Sequence, residues 1–198
     1  MRKAAAPSLI TLSLSAAAVL GYLGYRWYTV PAEPDAAAPT ALAEQLPEFT
    51  LEGLDGQPLG LDSWPGKPLL VNFWATWCAP CLREIPMLKK FQDEHDWLQV
   101  VGVAVDSREP VLRYAEEMQF NYPIMIGQSE AMQAAASFGI EFFALPFTAF
   151  TAADGSLLGV HTGEIHIEHL ENLRAVLEDL AAERIDKTAA RARIAGQM

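Results

Sequence analysis

The chain holds two cysteines, Cys78 and Cys81, inside the run VNFWATWCAPCLREIP from Val71 to Pro86. Thiols at this separation have three chemical uses: half of a metal site, a structural staple, or a dithiol that trades electrons with another disulfide. The flanking residues discriminate among them. KPLLVNFW, with its β-branched centre, reads as a strand buried on both faces. From Cys78 to about His95 the pattern is helical, with Ile85, Leu88 and Phe91 on one face. The pair thus stands where a buried strand gives way to a helix, the edge at which open α/β sheets do chemistry. Unpaired N–H groups and the positive dipole end at a helix start favour a thiolate on Cys78. Cys81, one turn on, faces the protein body. Cys78 is therefore expected to attack a partner's disulfide and Cys81 to resolve the mixed disulfide. Ala79 and Pro80 shape the turn between them, proline being well suited to a first helical turn.

A zinc site would need two more ligands, and only His95, His161, His166 and His169 are available. None stands at zinc-finger spacing from the cysteines, so no metal is expected. His166 and His169, one turn apart, read as surface imidazoles near a helix start. With both cysteines in one pair, no separate structural disulfide is available.

The elements that must position this pair follow from the pattern. FTLEGLDGQPLGL contains two short extended runs around Asp55-Gly56, a hairpin signal. Leu98–Val105 is a second buried strand, followed by a helix capped by Asp106 or Ser107, with Pro110 in its first turn, to about Phe120. A short strand, YPIMI, precedes a helix near Glu130–Phe138. PFTAFTAADGSLLGVHTG reads as an edge hairpin turning at Asp154-Gly155. The last helix carries an apolar stripe of Leu170, Leu173, Val176, Leu177 and Leu180. Alternating strands and helices closed by a hairpin make an α/β domain over residues 46–185, its sheet partly parallel and partly antiparallel. Residues 186–198 read as a polar, Ala-rich tail.

The net charge of −11 is unevenly spread. Residues 1–30 contain Arg2, Lys3, Arg26 and no acid, which leaves the remainder strongly acidic. Such a surface argues against nucleic acid as a partner. Ala4 to Tyr25 is uncharged and long enough to cross a bilayer as a helix, and Tyr22, Tyr25, Trp27 and Tyr28 cluster at its far end. Residues 1–30 are therefore read as a signal-anchor, with a cleaved signal peptide as the alternative. The cations at the N-terminus keep that end in the cytoplasm and send the rest across. Residues 31–45, rich in Pro and Ala, read as a linker.

FWATWCAPC resembles the active site of the thioredoxin superfamily, and its Ala-Thr-Trp-Cys-Ala-Pro-Cys form is similar to the TlpA/ResA/CcmG(DsbE)-type membrane-anchored thiol–disulfide oxidoreductases. Pro86 falls where such proteins kink the active-site helix. The segment from Leu46 to Trp74 resembles that group's lead-in and extra N-terminal hairpin. ALPFTAF, with Pro146, matches the loop whose cis-proline faces the cysteines. The resemblance implies a thioredoxin fold, a central mixed sheet flanked by helices with that hairpin added. It implies that the backbone before Pro146 pairs with a substrate strand, and that Trp77 covers the sulfurs and meets partners. Trp74 is expected to be merely buried. Thioredoxin itself has a buried acid where this chain has Asn72, so the proton of Cys81 needs another acceptor. Asp106 and Glu84 are the candidates, against the plainer readings of a helix cap and a solvated face. Phe147, at a position often polar in the family, suggests an apolar preference in partners.

The expected activity is reduction of client disulfides outside the cytoplasm, with apocytochrome c as one client the resemblance implies. Electrons would come from a membrane thiol-donor protein, since no nicotinamide or flavin motif is present and the only redox group is the Cys78–Cys81 pair. A disulfide-forming oxidant is the alternative. A thiol peroxidase is disfavoured by Ala75, where peroxiredoxins place Thr or Ser, and a metal carrier by the cysteine spacing.

Overall fold

The computed structural model describes residues 43–139 and 144–197, with the isolated positions 19, 21, 22 and 25. The chain divides after Pro39, and the elements below belong to the second unit. The membrane anchor expected over residues 1–30 lies, apart from those isolated positions, outside the described residues. Among the described residues no helix is long and apolar enough to cross a membrane.

Seven strands form one sheet: β1 (Thr50–Gly53), β2 (Pro58–Gly60), β3 (Leu69–Trp74), β4 (Gln99–Val105), β5 (Ile124–Gly127), β6 (Phe147–Thr151) and β7 (Leu157–Thr162). Their order is β2-β1-β5-β4-β3-β6-β7. β3, β4 and β5 are mutually parallel, and the hairpins β1–β2 and β6–β7 extend the sheet antiparallel on either side. This is the mixed sheet with an added N-terminal hairpin that the sequence implied. All six residues of β3 are buried, as a strand covered on both faces requires.

Alternation along β3 divides the core. Leu70 and Trp74 face one layer with Ile85, Leu88 and Phe91 of α1 (Ala79–Glu94), Val111 of α2 (Arg108–Met118) and the stripe of α4 (Ile167–Ala181). Val71 and Phe73 face the other, where α3 (Ser129–Ala136) contributes alanines and Phe138 and Phe147 pack against Phe73. Trp74 is fully buried, as expected. Arg108, the first residue of α2, ties the hairpin to the sheet by donating to the carbonyls of Gly53 and Leu54 and pairing with Glu52.

Both ends of the domain depart from expectation. The sequence reads as a linker as far as Gln45, yet the Ala43 N–H donates to Phe138, Glu44 accepts from the Leu157 N–H, and Gln45 bridges Ser156. At the other end, the expected polar tail forms α5 (Lys187–Gln197), whose Ala190 and Ile194 are buried. Two apolar residues four apart sufficed because the sheet gives way to them: a Cβ on Gly159 would lie 2.6 Å from Ile194 Cγ2. Gly159→Ala should therefore destabilise the domain by about 1–3 kcal/mol through overpacking, and Ile194→Ala by about 2–4 kcal/mol. In the double variant the two costs should fall well short of additive. Denaturant unfolding of the four proteins checks this; additive losses would mean that α5 does not bear on Gly159.

Candidate active site

Cys78 and Cys81 form a disulfide with a Cα–Cα distance of 5.3 Å. β3 delivers the chain to a turn in which the Cys78 N–H donates to the Ala75 carbonyl at 3.1 Å. Cys78 is then the N-cap of α1, with extended backbone, and its Sγ accepts the Cys81 N–H at 3.4 Å. Ala79 and Pro80 occupy the first helical positions, so the proline's missing N–H leaves nothing unpaired. Cys78 is 6% exposed and Cys81 wholly buried. A reagent approaching from solvent therefore meets Cys78 first, and a negative sulfur there would face the helix N-terminus. α1 runs unbroken through Pro86.

The Leu145–Pro146 peptide bond is cis. β6 starts directly after it, and its register places Phe147 opposite Phe73, which brings Pro146 beside the end of β3. The Pro146 carbonyl accepts from the Gly163 N–H, fastening this loop to the end of β7. Trp77 is 70% exposed, so its ring stands toward solvent next to Cys78. Phe147 does not offer an apolar surface to partners: it is fully buried against Phe73 and Phe138. The alternation of β6 turns it into the core face opposite the cysteines.

The two proton-acceptor candidates part company. Asp106, at the end of β4, takes the N–H and the hydroxyl of Thr76 on one oxygen, and its other oxygen takes the Ser107 N–H. It fixes the turn that leads into the cysteines. Glu84 is 1% exposed, which overturns the solvated-face reading. One turn beyond Cys81 on α1, it shares that residue's inward face. Its Oε1 accepts from Asn72 Nδ2 at 2.7 Å and its Oε2 from the Ile165 N–H at 2.7 Å. Burial raises the Glu84 carboxyl to about 7; the two donors oppose the shift and the charge of Glu164 adds to it. Glu164 itself is held ionised by the Arg83 guanidinium. The phenol of Tyr122 is pushed far up, first by burial and then by the Glu84 charge.

The structure therefore joins Glu84, Asn72, Thr148 and the Ile165 backbone into one buried polar group, one turn of α1 from Cys81. Thr148, which accepts from Asn72 Nδ2 at 3.0 Å, carried no local signal. Neither did Ile165, since its N–H meets Glu84 across a long stretch of chain. His161, His166 and His169 gather at the start of α4, where the His166 N–H donates to His169 Nδ1. Among the described residues no three His, Cys, Asp or Glu side chains are grouped to hold a metal ion.

Residues 41–177 match the redoxin family. The chain is 31% identical to the thiol-disulfide oxidoreductase ResA of Halalkalibacterium halodurans, covering 84% of this chain and 94% of that one. It is 30% identical to the thioredoxin-like protein YneN of Bacillus subtilis, covering 77% and 89%. Among solved structures, a thiol:disulfide interchange protein of the thioredoxin family from Chlorobium tepidum superposes with a TM-score of 0.59 at 28% identity, covering 72% of this chain and 96% of that one. The disulfide at the head of α1, the cis-proline beside it and these likenesses agree: the chain belongs to the redoxin family, as a ResA/TlpA/CcmG-like thiol–disulfide oxidoreductase of the thioredoxin superfamily.

Proposed function

We propose that this oxidoreductase reduces disulfides in client proteins outside the cytoplasm, held at the membrane by residues 1–30 and recharged by a membrane thiol-donor protein. Apocytochrome c awaiting haem is the client class we favour. The observation that carries the reading is the buried Glu84 carboxyl, near neutrality and one turn from Cys81. Resolution of a mixed disulfide needs a thiolate on a cysteine that water cannot reach, and a carboxyl whose affinity for protons is matched to the working pH serves as its base.

The cycle then runs as follows. The Cys78 thiolate attacks one client sulfur, breaking the client disulfide, and the released client sulfur takes a proton from water. Cys81 passes its proton to Glu84 and attacks Cys78 Sγ. The Cys78–client bond breaks, the second client sulfur leaves and is protonated, and the Cys78–Cys81 disulfide remains. Two electrons pass from the cysteine pair to the client; its first sulfur takes a proton from water and its second the proton that Cys81 gave to Glu84. Trp77 and the backbone before Pro146 are the surfaces proposed to hold the client strand, with Ala79 and Pro80 setting the approach to Cys78. No cofactor beyond the cysteine pair enters this scheme.

The direction rests on the motif adding no charge to what the helix N-terminus gives the Cys78 thiolate. Neither residue between the cysteines is charged, and in the disulfide the Cys78 sulfur accepts the backbone N–H of Cys81. A weakly stabilised thiolate makes a reductant. Equilibration with glutathione should give a potential near ~−270 mV, and a value near ~−120 mV would reverse the direction to disulfide formation.

Cys81→Ser should accumulate mixed disulfides on Cys78 with client proteins, and Cys78→Ser none. The trapping is read on non-reducing gels, and equal trapping by both variants would remove the assigned order of attack. Glu84 also makes stability depend on pH. Its folded pKa of about 7 lies above its unfolded value, so the native state holds the extra proton. The associated stability is complete below about pH 4.3 and is lost as pH rises to about 7, on the order of 3 kcal/mol in all. In Glu84→Gln that slope should vanish from urea unfolding of the oxidised protein, whereas an unchanged slope would show that Glu84 is ionised throughout.

A further inference from the structure

We propose that Asn72 is a positioning residue whose side-chain amide turns over when Glu84 changes its charge, so that one neutral group serves both the ionised and the protonated carboxyl. The proposal rests on the reading of Glu84 as proton acceptor and adds what the surroundings do when the proton arrives.

Asn72 is wholly buried in β3. Its Nδ2 donates to Glu84 Oε1 and to Thr148 Oγ1, while its Oδ1 is buried with no partner. An unpaired buried carbonyl is costly, and such groups call for an explanation. The arrangement as it stands suits only the carboxylate, because both neighbours of Glu84 donate to it. Oε2 is committed, since the Ile165 N–H facing it can do nothing but donate. The incoming proton is thereby directed to Oε1. There it would meet Asn72 Nδ2, donor against donor.

Rotation of the Asn72 amide by half a turn removes the conflict. Oδ1 then accepts from the Glu84 hydroxyl on one side and from the Thr148 hydroxyl on the other, because threonine both donates and accepts. Either orientation leaves one end of the amide without a partner. That cost is common to both, and the proton on Glu84 selects between them. The other ionisable groups around Glu84 are not placed to answer in this way. Glu164 is engaged with Arg83, the Tyr122 phenol stays protonated, and Cys81 is the proton's source. From the sheet, among the described residues, Asn72 reaches the carboxyl by a hydrogen bond and Thr148 stands behind it on the same amide, and both are neutral.

The movement is local, yet it touches both working surfaces. Asn72 stands six residues before Cys78, and Thr148, its cross-strand partner, stands two after Pro146. The charge on Glu84 is thus registered on the strand that begins at the client-facing loop.

The test follows Glu84 by its carboxyl carbon resonance between pH 5 and 9 in the oxidised protein, wild type and Asn72→Leu. An amide that only donates supports the carboxylate alone, and its removal should raise the midpoint by about 1–2 pH units, the worth of a hydrogen bond to a charged group. An amide that turns over supports both forms, and its removal should move the midpoint by less than about half a unit. In the wild type, which does not depend on the variant folding, the Asn72 side-chain NH2 should show a nuclear Overhauser contact to the Thr148 methyl above the midpoint and lose it below. A contact that persists across the range overturns the turnover while leaving Glu84 as base. A carboxyl that does not titrate in this range removes the base and, with it, the turnover.

Discussion

A carboxylate can be buried only where donors replace the water it gives up, and Glu84 meets that condition by drawing on separate parts of the chain. Its oxygens are held by a side chain of β3 and by the backbone just before α4, while the residue itself belongs to α1. Loss of either donor would leave one oxygen of the carboxylate in the core without a partner. The constraint therefore fixes the active-site helix against the central strand and against the loop that fastens the Pro146 carbonyl. The position of the disulfide over the sheet edge is one result. The chemical character of the carboxyl is another, since the same burial that needs the donors lifts it toward neutrality.

A second chain of contacts approaches the cysteines from the opposite side. Arg108 grips the N-terminal hairpin through Glu52, Gly53 and Leu54. Two residues earlier, Asp106 grips Thr76 in the turn before Cys78. The added hairpin is thus connected to the motif through a single β4–α2 junction. Asp106 holds the turn before Cys78, whereas Glu84 lies buried with its carboxyl lifted toward neutrality. The two acids could not be told apart by type, only by what surrounds them.

Much of this was legible in the residues. The apolar run ending at Trp74, the helical period after Cys78 and the Asp-Gly turns at Gly56 and Gly155 each report local geometry, and both glycines take the positive φ that such turns need. What escaped was decided by distant partners. Glu84 looks like a surface residue because a buried acid is rare without donors, and one of its donors is a backbone group that no side-chain pattern reveals. Phe147 is a core ring rather than a partner-facing one, which alternation cannot tell apart in β6 because that strand is buried on both faces. α5 escaped because its apolar content is low and its docking depends on the absence of a side chain at Gly159. Residues 43–45 escaped because Ala43 and Glu44 bond through their backbone atoms, which no side-chain pattern reveals.

Those last contacts have a mechanical side. Glu44 accepts from the Leu157 N–H and from Arg191 Nη2, and Arg191 Nε donates to the Leu157 carbonyl. The entry and exit of the domain are stitched together on β7, with β6 between that strand and β3. A force entering the domain at Ala43 would fall first on this seam, with β6 standing between it and β3. The same seam occupies hydrogen-bonding groups on the outer side of β7, where a foreign strand would otherwise find a ready template.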